Sequence, residues 1–187
     1  MNRPTPRLHN QASAPARFTA AEFLRMADLG AFDDMKVELD HGELVRMNPP
    51  YTAHAIAQAQ TLRELFRAIQ SDKVAVVPEI TVLLGPDTVR AFDAALIAPA
   101  ALKDKVLKPD HVILGIEVSE STLDRDLGEK LRDYASAGIG HYWVVDPKAR
   151  AVHVMSEPAD ESYRNQEIIR FGEPLELPDG LGAIVLA

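Results

Sequence analysis

The chain has no cysteine. This excludes disulfides, zinc–thiolate sites and thiol nucleophiles. Any metal must be held by carboxylates or imidazoles, a donor set that favours hard ions such as Mg²⁺ or Mn²⁺. Aromatic residues are sparse, at 6%, which gives little support for the sugar platform of a carboxylate-pair glycosidase. Apolar runs are no longer than a strand, so no transmembrane helix is expected. The N-terminal stretch lacks the apolar segment of a signal peptide, and the cytoplasm is the simplest location. Positive charge is also short: 20 Lys+Arg against 28 Asp+Glu leave a net charge of −8. Such a surface does not attract nucleic acid as a whole, which argues against non-specific DNA coating. An enzyme acting on a polyanion is still possible, through a local basic patch, a metal ion or both.

What remains is ordinary for a soluble globular domain: 187 residues, 47% hydrophobic and 26% charged. Residues 1–17 hold Pro, Asn, Ser, Ala and three Arg with no acid, and read as a flexible tail. Residues 18–187 read as one domain. "FTAAEFLRMADLGAF" predicts a helix with a capping box between Thr19 and Glu22. "KVELDHGELVRMN" predicts two short strands around a turn at "DHG". "TAHAIAQAQTLRELFRAIQSD" predicts a long amphipathic helix whose core stripe is Ile56, Leu62, Leu65, Phe66 and Ile69. Three strand-like segments follow, "KVAVVPEITVLL", "RAFDAALIAP" and "HVILGIEVS". A second helix is predicted over 122–137, capped by Ser121 or Thr122 and ended by Gly138. "HYWVVDP", "AVHVMSE" and "YRNQEIIRF" read as strands, and "LPDGLGAIVLA" as a turn and a short strand. The order implies an α/β or α+β domain with a mixed sheet flanked by helices. "HVILGIEV", helix, "HYWVVDP" should be a right-handed crossover joining parallel strands.

Two acids stand where an apolar strand should not carry them. Asp93 interrupts "RAFDAALI" and Glu117 interrupts "VILGIEV". A buried carboxylate is costly unless it is paired or binds a metal. On neighbouring strands the two could face one point, and two carboxylates with water and a phosphate oxygen make a usual Mg²⁺ site. The plainer reading is an edge strand with its acids in water. Lys130 lies four residues after Asp126, on the same helical face. It is either a solvated ion pair or an ammonium turned toward the acids, where it could steady charge on a phosphate. Tyr142 and Trp143 could stack on bases, but aromatics entering a strand read better as core. "LKDKVLK" and "NRPTPR" are the best local basic patches.

From "GIEVSEST" through "DRDLGEKLRDYASAGIGHYWVVDP", the chain resembles the Uma2 family of endonucleases, in the PD-(D/E)XK nuclease superfamily. "VELDHGELVRMNPP" with "TAHAIAQAQTLRELF" resembles the family's glutamate-bearing opening and first long helix, and "RAFDAALIAP" its Pro-Asp strand. The match runs from Phe18 to the C-terminus. The resemblance implies a restriction-endonuclease-like mixed sheet and Mg²⁺-assisted (or Mn²⁺-assisted) hydrolysis of DNA phosphodiesters. It puts the family's acids on Asp93, Glu117 and Glu38. Position 119, where the superfamily keeps a lysine, is Ser119, and Lys130 matches the place the lysine takes in this family. Phe92 stands where proline is usual. On this reading Asp93, Glu117 and the Val118 backbone carbonyl hold the metal, Lys130 positions water or offsets charge, and Glu38 completes the shell or orients water. His54, at the start of the long helix, is either structural or a contact to the DNA backbone, and Glu79 either faces solvent or serves a second metal. A homodimer is expected, since many nucleases that cut duplex DNA act in pairs. The competing reading is a catalytically silent nuclease-like fold that binds nucleic acid or protein, which the acidic surface and Ser119 both favour.

Overall fold

The computed structural model describes residues 15–70 and 72–187. Most of the expected tail, and with it the "NRPTPR" patch, lies outside the described residues. The fold is α+β: a mixed eight-stranded sheet flanked by helices. Among the described residues no helix is long and apolar enough to cross a membrane.

α1 (Ala20–Asp28) starts from the expected capping box: the Thr19 hydroxyl accepts from the Glu22 amide, and the Glu22 carboxylate accepts from the Thr19 amide. β1 (Val37–Asp40) and β2 (Glu43–Arg46) form a hairpin. Its two turn residues, His41 and Gly42, both take positive φ, 45° and 85°, the backbone that lets a two-residue turn match strand twist. β3 (Ala75–Gly85) and β4 (Thr88–Ile97) form a long hairpin, followed by β5 (Val112–Val118). β5 and β6 (His141–Asp146) pair in parallel through the predicted crossover. β7 (Ala151–Ala159) and β8 (Ser162–Arg170) extend the sheet antiparallel, and β9 (Leu175–Glu176) with β10 (Ala183–Ile184) make a small separate ladder.

The sheet has a fork. Val89 of β4 pairs with Leu83 of β3 on one edge and with Leu39 of β1 on the other. Five residues later Ala94 pairs with Pro78 of β3, but now with Ile116 of β5. β1 and β5 therefore share one edge of β4 in succession. The start of β1 and the end of β5 meet beside Ala91, Phe92 and Asp93. An antiparallel ladder broken this way leaves backbone groups to be satisfied by side chains. The Ala91 amide donates to Glu38 Oε1 at 3.2 Å, and the Val118 amide to Asp93 Oδ2 at 2.7 Å.

Two apolar layers enclose the sheet. Ala57 and Leu65 of α2 (Thr52–Ala68) pack on one face with Leu114, Ile116 and Trp143. The other face holds Phe92, Leu131, Tyr134 and Tyr142. Trp143 and Tyr142 are both core, as preferred from the sequence. The predicted stripe of α2 needs correcting. Leu65 is fully buried, but Ile56 and Phe66 are 52% and 54% exposed. Ala57 and Thr61 take the buried positions at four-residue spacing, because small residues let the helix approach the sheet.

The predicted helix over 122–137 is two helices, α3 (Leu123–Asp126) and α4 (Glu129–Ser136). Gly128 makes the break possible, since a β-carbon there would stand 2.5 Å from the Asp124 carbonyl oxygen. Neither Ser121 nor Thr122 caps α3: the Thr122 hydroxyl donates instead to Asp126 Oδ2 at 2.5 Å. Gly138 does close α4 with φ 79°.

Candidate active site

Three acids lie in one row across three strands. The β3–β4 pairs Pro78 with Ala94 and Ile80 with Phe92 flank Glu79 and Asp93, and the β4–β5 register, carried one residue past Ala94 with Ile116, sets Asp93 opposite Glu117. Opposed residues of neighbouring strands have β-carbons about 4.5–5.5 Å apart. Strand alternation fails here. Phe92, Ala95 and Ile97 belong to one core while Ala94 and Leu96 belong to the other. The chain turns at Asp93, where Glu79 opposite has φ 47°. Asp93, Glu117, Glu38 and Asp126 are all buried, yet all line one cleft of about 500 Å³ at the fork.

Glu117 ends β5 with its two oxygens in different surroundings. Oε1 accepts from Lys130 Nζ at 2.9 Å and from the Tyr134 hydroxyl at 2.7 Å. Among the described residues Oε2 accepts no hydrogen bond from the protein. Burial, with further acids nearby, pushes this carboxyl up to about 8 despite Lys130. Burial and the acids around it thus outweigh the one ammonium in contact with this carboxyl.

Lys130 is enclosed, its side chain 4% exposed. It stands 3.6 Å from Glu38 and 3.7 Å from Asp126 in addition to its contact with Glu117. Burial alone would lower its pKa, but Glu117, Glu38 and Asp126 outweigh that and hold it charged. Lys130 is therefore no solvated surface pair. The break at Gly128 starts α4 afresh, and α4 carries Lys130 and Tyr134 to the acids on one face.

Asp93 is pinned at both oxygens, Oδ2 by the Val118 amide and Oδ1 by His54 Nε2 at 3.5 Å. Burial opposes its ionisation, but His54 and the Val118 amide win and lower its pKa. His54 is raised in turn, chiefly by Asp93. The imidazole from the first turn of α2 thus reaches the acidic row itself. Gln58, one turn on, donates to the Asp93 carbonyl at 2.9 Å and to Glu79 Oε1 at 2.8 Å. Glu79 Oε2 accepts from Lys36 Nζ at 2.6 Å.

Glu38 belongs to a second tier. Its Oε2 accepts from Arg125 Nη2 at 3.1 Å and lies 3.6 Å from Arg90 Nη1. Arg90 has no exposed surface. It meets Asp40 at 3.0 Å, Glu129 at 2.6 Å and Asp133 in a short pair. These ties fix Glu38 as the acid that faces Lys130 from β1.

The candidates from the sequence, Glu38, His54, Asp93, Glu117, Val118 and Lys130, all line this cleft. Arg90, Tyr134 and Lys36 were missed. Arg90 had a signal: it is a cation inside "TVRAFDAALI", as out of place there as Asp93. Tyr134 had one as well, since Asp126, Lys130 and Tyr134 recur at four-residue intervals. Lys36 had none, because one lysine before a short strand is unremarkable.

The fold has a solved counterpart. The structure titled "Crystal structure of a putative nuclease belonging to DUF820 from Anabaena variabilis ATCC 29413" superposes with a TM-score of 0.63. It shares 17% identity, over 86% of this chain and 88% of that one, a likeness of fold. No curated protein matches the sequence. The Uma2 family model, described as "Putative restriction endonuclease", matches residues 20–187, and the chain belongs to that family.

Proposed function

We propose that the protein is a divalent-metal-dependent endonuclease that hydrolyses DNA phosphodiester bonds at the fork of its sheet. The observation that carries this reading is the juxtaposition of Asp93 and Glu117. Two buried carboxylates on adjacent strands border one cleft, and Glu117 keeps an oxygen that no donor among the described residues occupies. The donor set is oxygen only and surplus in negative charge, which suits Mg²⁺ or Mn²⁺. Asp93, Glu117 and the Val118 carbonyl would hold the ion. When bound, it supplies a Lewis acid that lowers the pKa of water and neutralises phosphate charge.

The remaining residues have roles that follow from where they sit. Lys130 and Tyr134 hold Glu117 by one oxygen and so aim the other into the cleft. The ammonium of Lys130, kept charged by its acids, offsets negative charge as the phosphate is attacked. Glu38, tied to Arg125 and facing Lys130, holds that ammonium in place and orients water. His54 fixes Asp93 and, carrying a proton, meets the DNA backbone. DNA is the expected partner, and a homodimer would supply the second cut of a duplex.

The test is a plasmid cleavage assay with Mg²⁺, Mn²⁺ or EDTA, on the natural protein and on Asp93→Asn. Cleavage that needs the ion and disappears in the variant is the expected result. Protein that binds DNA but cuts none under any ion would instead establish the silent nuclease-like fold.

A further inference from the structure

Lys36 precedes β1, and its side chain does not stay beside that strand. β1 and β3 lie on opposite edges of β4. To put Nζ 2.6 Å from Glu79 Oε2, the side chain must cross over β4 at the fork, beside Asp93. The side chain is 42% exposed, and Lys36 lines the same cleft as Asp93 and Glu117. Burial works against its charge, but Glu79 first, then Asp93 and Glu117, keep it protonated. A lysine has three N–H donors, and Glu79 takes one.

An ordinary surface ion pair would need no special backbone, and this one has it. Glu79 takes φ 47° in the middle of a strand. A left-handed glutamate is strained, and such outliers persist where the surroundings enforce them, often at functional sites. Here the enforcing contacts are visible. Gln58 bridges Glu79 Oε1 to the Asp93 carbonyl, so the turned glutamate is braced against the backbone of the row's central acid. Both oxygens of Glu79 are thereby engaged, one by Gln58 and one by Lys36. The chain Lys36–Glu79–Gln58–Asp93 keeps one exposed ammonium at a set place above the acids. The buried Lys130 cannot fill that place, because its charge is enclosed by three carboxylates.

We propose that Lys36 is a further catalytic residue, which contacts a phosphate of the bound DNA strand at the mouth of the cleft, and that Glu79 is its positioning residue. This rests on the nuclease reading above. Lys36 would add to the cleft a cation suited to a polyanion, beside Arg46 and Arg125, which also line it.

The experiment measures binding of a short DNA duplex by fluorescence anisotropy from 50 to 300 mM KCl, with Ca²⁺ present, beside cleavage kinetics with Mg²⁺. Each phosphate contact adds about 0.9 to the slope of log K against log salt. Lys36→Met is expected to reduce that slope by about 0.9, and Lys36→Arg to restore it. Lys105→Met, which removes an exposed lysine paired with Asp28 outside the cleft, should leave the slope unchanged. Glu79→Gln should raise KM roughly fivefold while leaving kcat within about twofold, the split expected when a contact already made to the bound strand is loosened. An unchanged slope in folded Lys36→Met, with natural protein that binds and cuts DNA, overturns this inference and spares the nuclease reading. Natural protein that neither binds nor cuts DNA overturns both. Circular dichroism spectra of the variants verify the fold.

Discussion

A β-carbon on Gly115 would stand 2.3 Å from Cε1 of Phe92. Phe92 lies over the glycine and against Tyr134, with ring centroids 4.5 Å apart, and it immediately precedes Asp93. Gly115→Ala must therefore push the ring off β5 and disturb Asp93. Overpacking of this kind costs about 1–3 kcal/mol. We expect a melting temperature lower by several degrees and a loss of cleavage larger than the lost stability explains, read by thermal denaturation and by plasmid nicking at a temperature where the variant is folded.

Lys130→Met would leave Glu117, Glu38 and Asp126 without their shared cation. Removing one partner of a buried ion pair costs about 3–5 kcal/mol. In a chain of this size that is on the order of 10 °C in melting temperature. Lys130→Arg should not repair the loss, since a guanidinium forks its donors in a plane and the pocket encloses a point charge. A variant as stable as the natural protein would refute the buried pairing.

Tyr134→Phe removes one hydrogen bond to Glu117 and nothing else of size. Its stability cost should be about 1.5–3 kcal/mol if Glu117 is ionised and less if it is not. Partners that orient a metal ligand are commonly worth about 10–100-fold in affinity. We expect Mn²⁺ to bind correspondingly more weakly, measured by calorimetry.

Glu117 gives the metal-free protein a pH dependence with a definite sign. An isolated glutamate ionises near 4.5, and Glu117 near about 8. Between those values the folded state binds more protons than the unfolded chain. The stability this group contributes is whole below 4.5 and is lost as pH rises through 8, by at most about 1.4 kcal/mol per pH unit. Glu117→Gln does not titrate, so in EDTA it should gain on the natural protein across that window and run parallel above it. Melting curves at half-unit steps of pH would show this, and equal slopes in the two proteins would contradict it.

The sequence disclosed the elements better than their meeting places. The strand segments, the capping box at Thr19 and the glycine at 138 are local signals, and the structure repeats them. The α2 stripe failed at Ile56 and Phe66, because periodicity chooses a face only to within a residue and the distance to the sheet favoured Ala57 and Thr61. The break at Gly128 was hidden because the sequence on either side is good helix. Asp93 and Glu117 were visible because acids in apolar strands are conspicuous. The fork was not, since no local pattern says that β4 changes partners halfway. Lys36 acquires its place only through that fork.

On the proposed nuclease reading, the same fork sets when a growing chain could first cut DNA. Glu38 is on β1, Asp93 on β4, Glu117 on β5, and Lys130 and Tyr134 on α4, so the cleft draws on the chain from residue 38 to residue 134. Contacts this far apart in sequence form only after long loops have closed. A nascent chain still short of Tyr134 lacks the lysine and tyrosine that hold Glu117. Neither half, released by a protease, carries the whole set. On that reading, a partly synthesised chain has no complete site with which to cut DNA.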